Sequence, residues 1–95
     1  MVDDGAREIY TRSPRVAYRR IGGAFVLVNL RDNRILKLND TGTEIWGLLD
    51  GRDVAAVATG ICAAFDVPAE EALADVREFL EMLRGRELVE RCGAG

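Results

Sequence analysis

The groups able to do chemistry in this sequence are sixteen carboxylates, thirteen cations and two thiols, with no histidine among them. An imidazole-based triad, a histidine general base and a histidine-ligated metal are therefore excluded. Cys62 and Cys92 are too few for a four-thiolate zinc site, and their separation is not that of a redox CxxC pair. The carboxylates are many, but no spacing marks two of them as an acid–base pair. Glu70 and Glu71 open a helical pattern, where negative charge suits the positive end of the helix. Glu78, Glu81 and Met82 fall on or beside the apolar stripe of the same helix. Asp75 precedes Val76 and stands four residues before Phe79. It reads either as a solvated side chain or as the rim of a groove that receives a partner's N–H or cation. Gly22-Gly23 lacks GxGxxG or Walker surroundings and reads as a turn. Trp46 lies one position off a helical stripe and reads as a core or edge filler rather than a stacking platform, its indole N–H needing a partner if buried. These residues point to binding rather than catalysis, with no metal and no cofactor.

The charge that a partner would meet is unevenly placed. The formal net charge is −3, yet residues 1–39 carry eight basic against four acidic side chains, a net +4, and residues 40–95 carry five against twelve, a net −7. A basic front and an acidic back follow. The first eight residues show no basic segment leading into an apolar run, so no secretory signal is expected. No stretch is long and apolar enough to span a membrane. The two cysteines read as free thiols in a reducing cytoplasm, Cys62 packed in a helix and Cys92 near an exposed end.

The elements that must position these groups come in a clear order. Residues 1–13 are polar and aperiodic and read as a loose arm; residues 92–95 read as a frayed tail; 14–91 form one domain. Strands are expected over 15–21, 24–30 and 34–38. The Gly22-Gly23 and Asp32-Asn33 turns join them into an antiparallel meander. Period two puts Leu36 and Leu38 on one face and Ile35 and Lys37 on the other. Thr41-Gly42-Thr43-Glu44 has the spacing of a capping box, with Thr41 as cap of a short helix that buries Ile45, Leu48 and Leu49 and stops near Gly51. Asp53 reads as the cap of a second helix with the stripe Val54, Val57, Ala58, Ile61, Phe65. Pro68 starts a third, striped by Ala69, Leu73, Val76, Phe79, Leu80 and Leu83 and closed by Gly85. Leu88-Val89 ends the fold as a short strand or coil. The fold class is α+β and winged-helix-like, a three-stranded antiparallel sheet followed by a three-helix bundle.

A helical trio with a wing is a common DNA-binding plan, but here the last helix presents mostly carboxylates, which phosphate repels, and the second is nearly uncharged. A nucleic-acid partner is not expected, and a winged-helix regulator remains only the alternative. A small adaptor or dimer subunit using the sheet edge for itself is a further one. The better reading is a peptide-binding surface. An edge strand at Arg34, Ile35, Leu36, Lys37 and Leu38, beside Val76, Phe79, Leu80 and Leu83, lines a groove in which an extended peptide adds as a further strand.

The ordered segments Gly23–Leu30, Leu36-Lys37-Leu38-Asn39-Asp40-Thr41-Gly42, Ile45–Gly51, Asp75-Val76 with Phe79-Leu80 and Leu83, and Glu87-Leu88-Val89 together resemble the PqqD family over residues 14–91. The Leu-Asn-x-Thr-Gly-x-x-Ile-Trp segment is the most specific of them. The resemblance implies a non-catalytic recognition domain for ribosomally made peptides. Its members bind the precursor's leader as an added strand and present it to a processing enzyme. In flavour the chain resembles the stand-alone members of lasso-peptide pathways, which work with a leader peptidase and a cyclase; the alternative is a chaperone serving a radical-SAM maturase. Carried onto this sequence, the leader-facing residues are Arg34, Ile35, Leu36, Lys37, Leu38, Asp75, Val76, Phe79 and Leu83. Whether Phe79 or Leu80 meets the peptide stays open at this level.

Overall fold

The computed structural model describes residues 7–92. The elements are β1 (Ile9–Arg12), β2 (Val16–Ile21), β3 (Ala24–Asn29), β4 (Ile35–Lys37), α1 (Asp40–Gly47), α2 (Val54–Phe65), α3 (Ala69–Gly85) and β5 (Val89–Cys92). Strands β2, β3 and β4 form one antiparallel meander in that order, and β1 pairs with β5 in a second sheet. The fold is α+β and winged-helix-like, the meander preceding a helical trio, as the patterning predicts. Gly22 and Gly23 take φ of 60° and 82° in the β2–β3 turn, the positive values a two-residue hairpin turn requires of both. No helix among the described residues is long and apolar enough to cross a membrane.

The core lies between the inner face of the meander and the helices. Leu27 from β3 meets Ile45 and Trp46 of α1, Ile61 of α2, and Val76, Leu80 and Leu83 of α3, all with 2% exposure or less. Of the core and edge positions open to Trp46, the structure takes the core: the side chain is fully buried, but its Nε1 has no hydrogen-bond partner. Instead the Arg12 guanidinium lies 5.4 Å over the indole ring and donates from Nη2 to the Trp46 carbonyl at 2.6 Å.

Arg12 belongs to a segment that sequence patterning assigns to a loose arm. Ile9–Arg12 is in fact a strand, paired from Ile9↔Cys92 to Arg12↔Val89. Tyr10 is 4% exposed. Four residues are too few to show a period, and their partner lies some eighty residues away, so nothing local signals the strand. Cys92, expected in the tail, is the last residue of β5; residues 1–6 and 93–95 lie outside the described residues.

Two helix ends also differ from expectation. The cap of α1 is Asn39, whose Oδ1 accepts from the Gly42 N–H at 2.8 Å, rather than Thr41. Asn is as good a cap as Thr, and the helix begins two residues earlier than a Thr41 cap implies. After α3 ends at Gly85, the left-handed residue is Glu87 at φ 60°. The Leu88 N–H returns to the Leu83 carbonyl at 3.0 Å, closing the helix as in a Schellman motif. Asp53 caps α2 as predicted, accepting from the Ala56 N–H at 2.9 Å.

A polar cluster ties β1 to α3. The Tyr10 hydroxyl donates to Glu81 at 2.5 Å, and Arg84 donates to both Glu81 oxygens at 3.0 and 2.8 Å. Arg84 first, then Tyr10, hold the Glu81 carboxyl down at about 2 against an ordinary 4.5. Burial, then Glu81, push the Tyr10 hydroxyl up. A carboxyl depressed in the fold contributes stability above pH 4.5 and loses it as pH falls toward 2. Glu81→Gln should therefore flatten the acid limb of a stability-versus-pH curve between those values, checked by urea melts at stepped pH.

Candidate functional site

Strand β4 is an edge of the meander, and its hydrogen-bond phase follows from its register. The Leu38 N–H donates to the Phe25 carbonyl and the Asn29 N–H to the Arg34 carbonyl, each at 2.9 Å, with Leu27↔Leu36 between them. In an antiparallel ladder these alternate positions turn their backbone groups to the neighbour, so Arg34, Leu36 and Leu38 face β3. Ile35 and Lys37 then aim their N–H and C=O at the free edge. Side chains alternate likewise. Leu38 is buried and Leu36 half-buried toward the core, while Ile35 and Lys37 are exposed on the other face.

The start of β4 lies near the C-terminal end of α3 and the segment after β4 near the middle of α3, and two clefts open along this side. One, of about 340 Å³, is bounded by the start of α1 and by Asp75, Glu78, Phe79 and Met82. The other, of about 380 Å³, is bounded by Arg34, Ile35, Leu36 and the turn Gly85–Leu88. β4 runs from the second to the first. The walls are thus acidic at one end (Asp75, Glu78), apolar along Phe79, Met82 and Leu36, and of mixed charge at the other, where Arg34 and Arg86 stand with Asp32 and Glu87.

The segment Leu38–Thr43 holds this arrangement together. Asn39 caps α1, and Thr43 Oγ1 accepts from the Phe25 N–H at 3.1 Å, anchoring the start of β3. A Cβ placed on Gly42 would lie 2.9 Å from Phe79 Cζ, so the missing side chain lets the ring rest on the first turn of α1. Gly42→Ala should push the ring outward into the groove with little loss of stability, since the far end of a side chain yields more readily than backbone. Displaced Phe79 aromatic shifts in an NMR spectrum, with the remaining methyl spectrum unchanged, would report it.

The structure sorts the residues expected at the site into three groups. Arg34, Ile35 and Leu36 line one cleft, and Asp75 and Phe79 the other. Lys37 offers edge backbone. Leu38 (3% exposed), Val76 and Leu83 (each 0%) lie in the core beneath the groove and present no surface to it. Leu38 continues the β4 run inward, and for Val76 and Leu83 the apolar stripe of α3 merges two adjacent ridges. One ridge, Ala72, Val76, Leu80, Leu83, is buried. The other, Asp75, Phe79, Met82, Arg86, faces the groove, so Phe79 rather than Leu80 is the accessible residue. The groove positions missed by sequence are Glu78, Met82, Gly42 and Arg86. The i, i+4, i+7, i+11 spacing from Asp75 to Arg86 was the available signal. Among the described residues, no cluster of three or more Cys, Asp or Glu is arranged to hold a metal ion.

Comparison with known proteins agrees with this geometry. The family described as coenzyme PQQ synthesis protein D (PqqD) matches residues 24–89, from the start of β3 to the start of β5. Among solved structures, TbiB1 in complex with the TbiA(beta) leader peptide is 31% identical with a TM-score of 0.80, covering 84% of this chain and 94% of that one. Lasso peptide synthetase B1 complexed with the leader peptide is 24% identical, with a TM-score of 0.77 and coverage of 85% and 96%, and shares the fold. No curated protein matches significantly.

Proposed function

Because the chain belongs to the PqqD family, we propose that it captures the leader segment of a ribosomally made precursor peptide and delivers it to a processing enzyme. The observation that carries this reading is the free β4 edge beside a groove with an apolar middle. The outward N–H and C=O groups of Ile35 and Lys37 pair with the added backbone, and alternate leader side chains enter the clefts against Leu36, Phe79 and Met82. Main-chain bonds set affinity there and the clefts set which leader is accepted. The domain brings no chemistry of its own and acts in a reducing cytoplasm, where Cys62 and Cys92 remain thiols.

The enzyme served is, on this reading, the leader peptidase and cyclase of a lasso-peptide pathway rather than a radical-SAM maturase. The likeness to TbiB1 over nearly its whole length supports leader capture, and the lasso branch is this proposal's finer part. Titrating the purified domain into a fluorescein-labelled leader of the precursor tests the proposal by anisotropy. Saturable binding is expected, and its absence would overturn the reading.

Charge steers the encounter. Arg34 is exposed at one end of the groove and only loosely paired, at 3.7 Å, to Asp32. Arg34→Glu should weaken binding of a leader that is acidic at that end by a few-fold and reduce the dependence of Kd on salt. Comparing Kd at 50 and 500 mM NaCl for both proteins checks this.

A further inference from the structure

The meander has a second face, which the groove touches only at Ile35 on the β4 edge. Alternation places Val26, Val28, Ile35 and Ile21 there, together with Arg19 and Lys37, on the side away from the helices. Ile21 and Ile35 are 55% and 70% exposed. Val26 and Val28 are not among the apolar residues packed against the core. Arg19 and Lys37 share one cross-strand row through Val26, one on each outer strand, and the strand pattern puts no carboxylate on this face.

We propose that this face docks the processing enzyme, through a surface of that enzyme that is apolar at its centre and carries carboxylates reaching Arg19 and Lys37. Two observations select this occupant. A second copy would set Arg19 and Lys37 against the same cations, a like-charge contact that disfavours self-association. Two cations are also fewer than the cluster of basic side chains that holds a protein to an anionic lipid surface. Position supplies the second argument. Ile35 and Lys37 point their side chains onto this face and their backbone groups at the free edge, so a strand added to β4 widens the same face by one strand. The enzyme would rest on domain and leader together and bind the loaded domain more tightly than the empty one. This inference rests on the leader-capture reading and assigns it a second surface.

The test uses the purified full chain, the leader peptidase acting on the same precursor, and the variant carrying Arg19→Glu and Ile21→Ser. Both positions are exposed and lie outside the groove, and circular dichroism checks that the variant is folded. Leader titration should be unchanged in the variant. Peptidase binding, read by biolayer interferometry, should weaken at least tenfold, and Arg19→Lys should retain it. Adding leader should tighten the wild-type complex several-fold. Peptidase binding that is undetectable for wild type, or undiminished in the variant, would overturn the inference. So would a variant whose only defect is loss of self-association in sedimentation or of binding to phosphatidylserine vesicles. Failure of the wild-type domain to bind leader would instead remove the leader-capture reading, so the two failures are distinguishable.

Discussion

Replacing Lys37 with proline should weaken leader capture roughly tenfold to a hundredfold while leaving the domain folded. The Lys37 N–H points away from β3, so proline removes a donor that the native ladder does not use. Proline is tolerated on edge strands for this reason. Its restriction of the preceding residue to extended backbone suits Leu36, which is already in a strand. In the complex, however, the leader carbonyl facing Lys37 would be left without a donor, a loss of about 1–3 kcal/mol. That corresponds to the expected change in Kd. Lys37→Ala separates backbone from charge: it removes the ammonium and keeps the N–H, and should cost only a few-fold. Equal losses for alanine and proline would mean that the side chain, and not strand addition, carries the affinity.

Leu83→Ala should lower stability by about 2–5 kcal/mol, the range for emptying a leucine site that cannot collapse. Leu83 is fully buried against the helix and sheet residues of the core. For a domain of this size the loss is a large part of the total of about 5–15 kcal/mol. It should lower Tm by on the order of 10 °C or more. Trp46, the one tryptophan and itself buried, makes fluorescence a direct monitor of the melt. At a temperature where the variant is still folded, leader affinity should match the wild type. Phe79→Ala should do the reverse, since the ring is only half-buried and walls the groove: a smaller loss of stability and a clear loss of leader affinity. A folded Leu83→Ala that no longer binds leader would place Leu83 in the peptide-contacting wall.

The contrast between Leu83 and Phe79 shows how far patterning reaches. Helical periodicity identifies the apolar positions of α3, and strand alternation separates Leu36 and Leu38 from Ile35 and Lys37, because both are local consequences of backbone geometry. The Gly22-Gly23 turn, the Asp53 cap and the order of strands before helices were legible for the same reason. Periodicity gives an angle around the helix but not where the neighbouring elements end. Val76 and Leu83 are buried in the core, and Phe79, only about 40–60° away around the helix, faces the groove beside the start of α1. The merged stripe divides only once the neighbouring elements are in place.

Strand β1 marks the other boundary. Ile9–Arg12 carries no periodic signal, yet Tyr10 enters the core and Arg12 covers Trp46. Its pairing depends on β5, which exists only after three helices have brought the chain back. The amino-acid order alone thus specified the three strands of the meander, the three helices, the α+β class, the absence of histidine chemistry and the basic sheet opposed to acidic helices. Each of these is set by composition or by contacts within a few residues. Which edge is free, which ridge of α3 faces it, and which cations share the outer face of the meander were decided by long-range packing. Those features depend on residues far apart in the chain, whose juxtaposition no local propensity encodes.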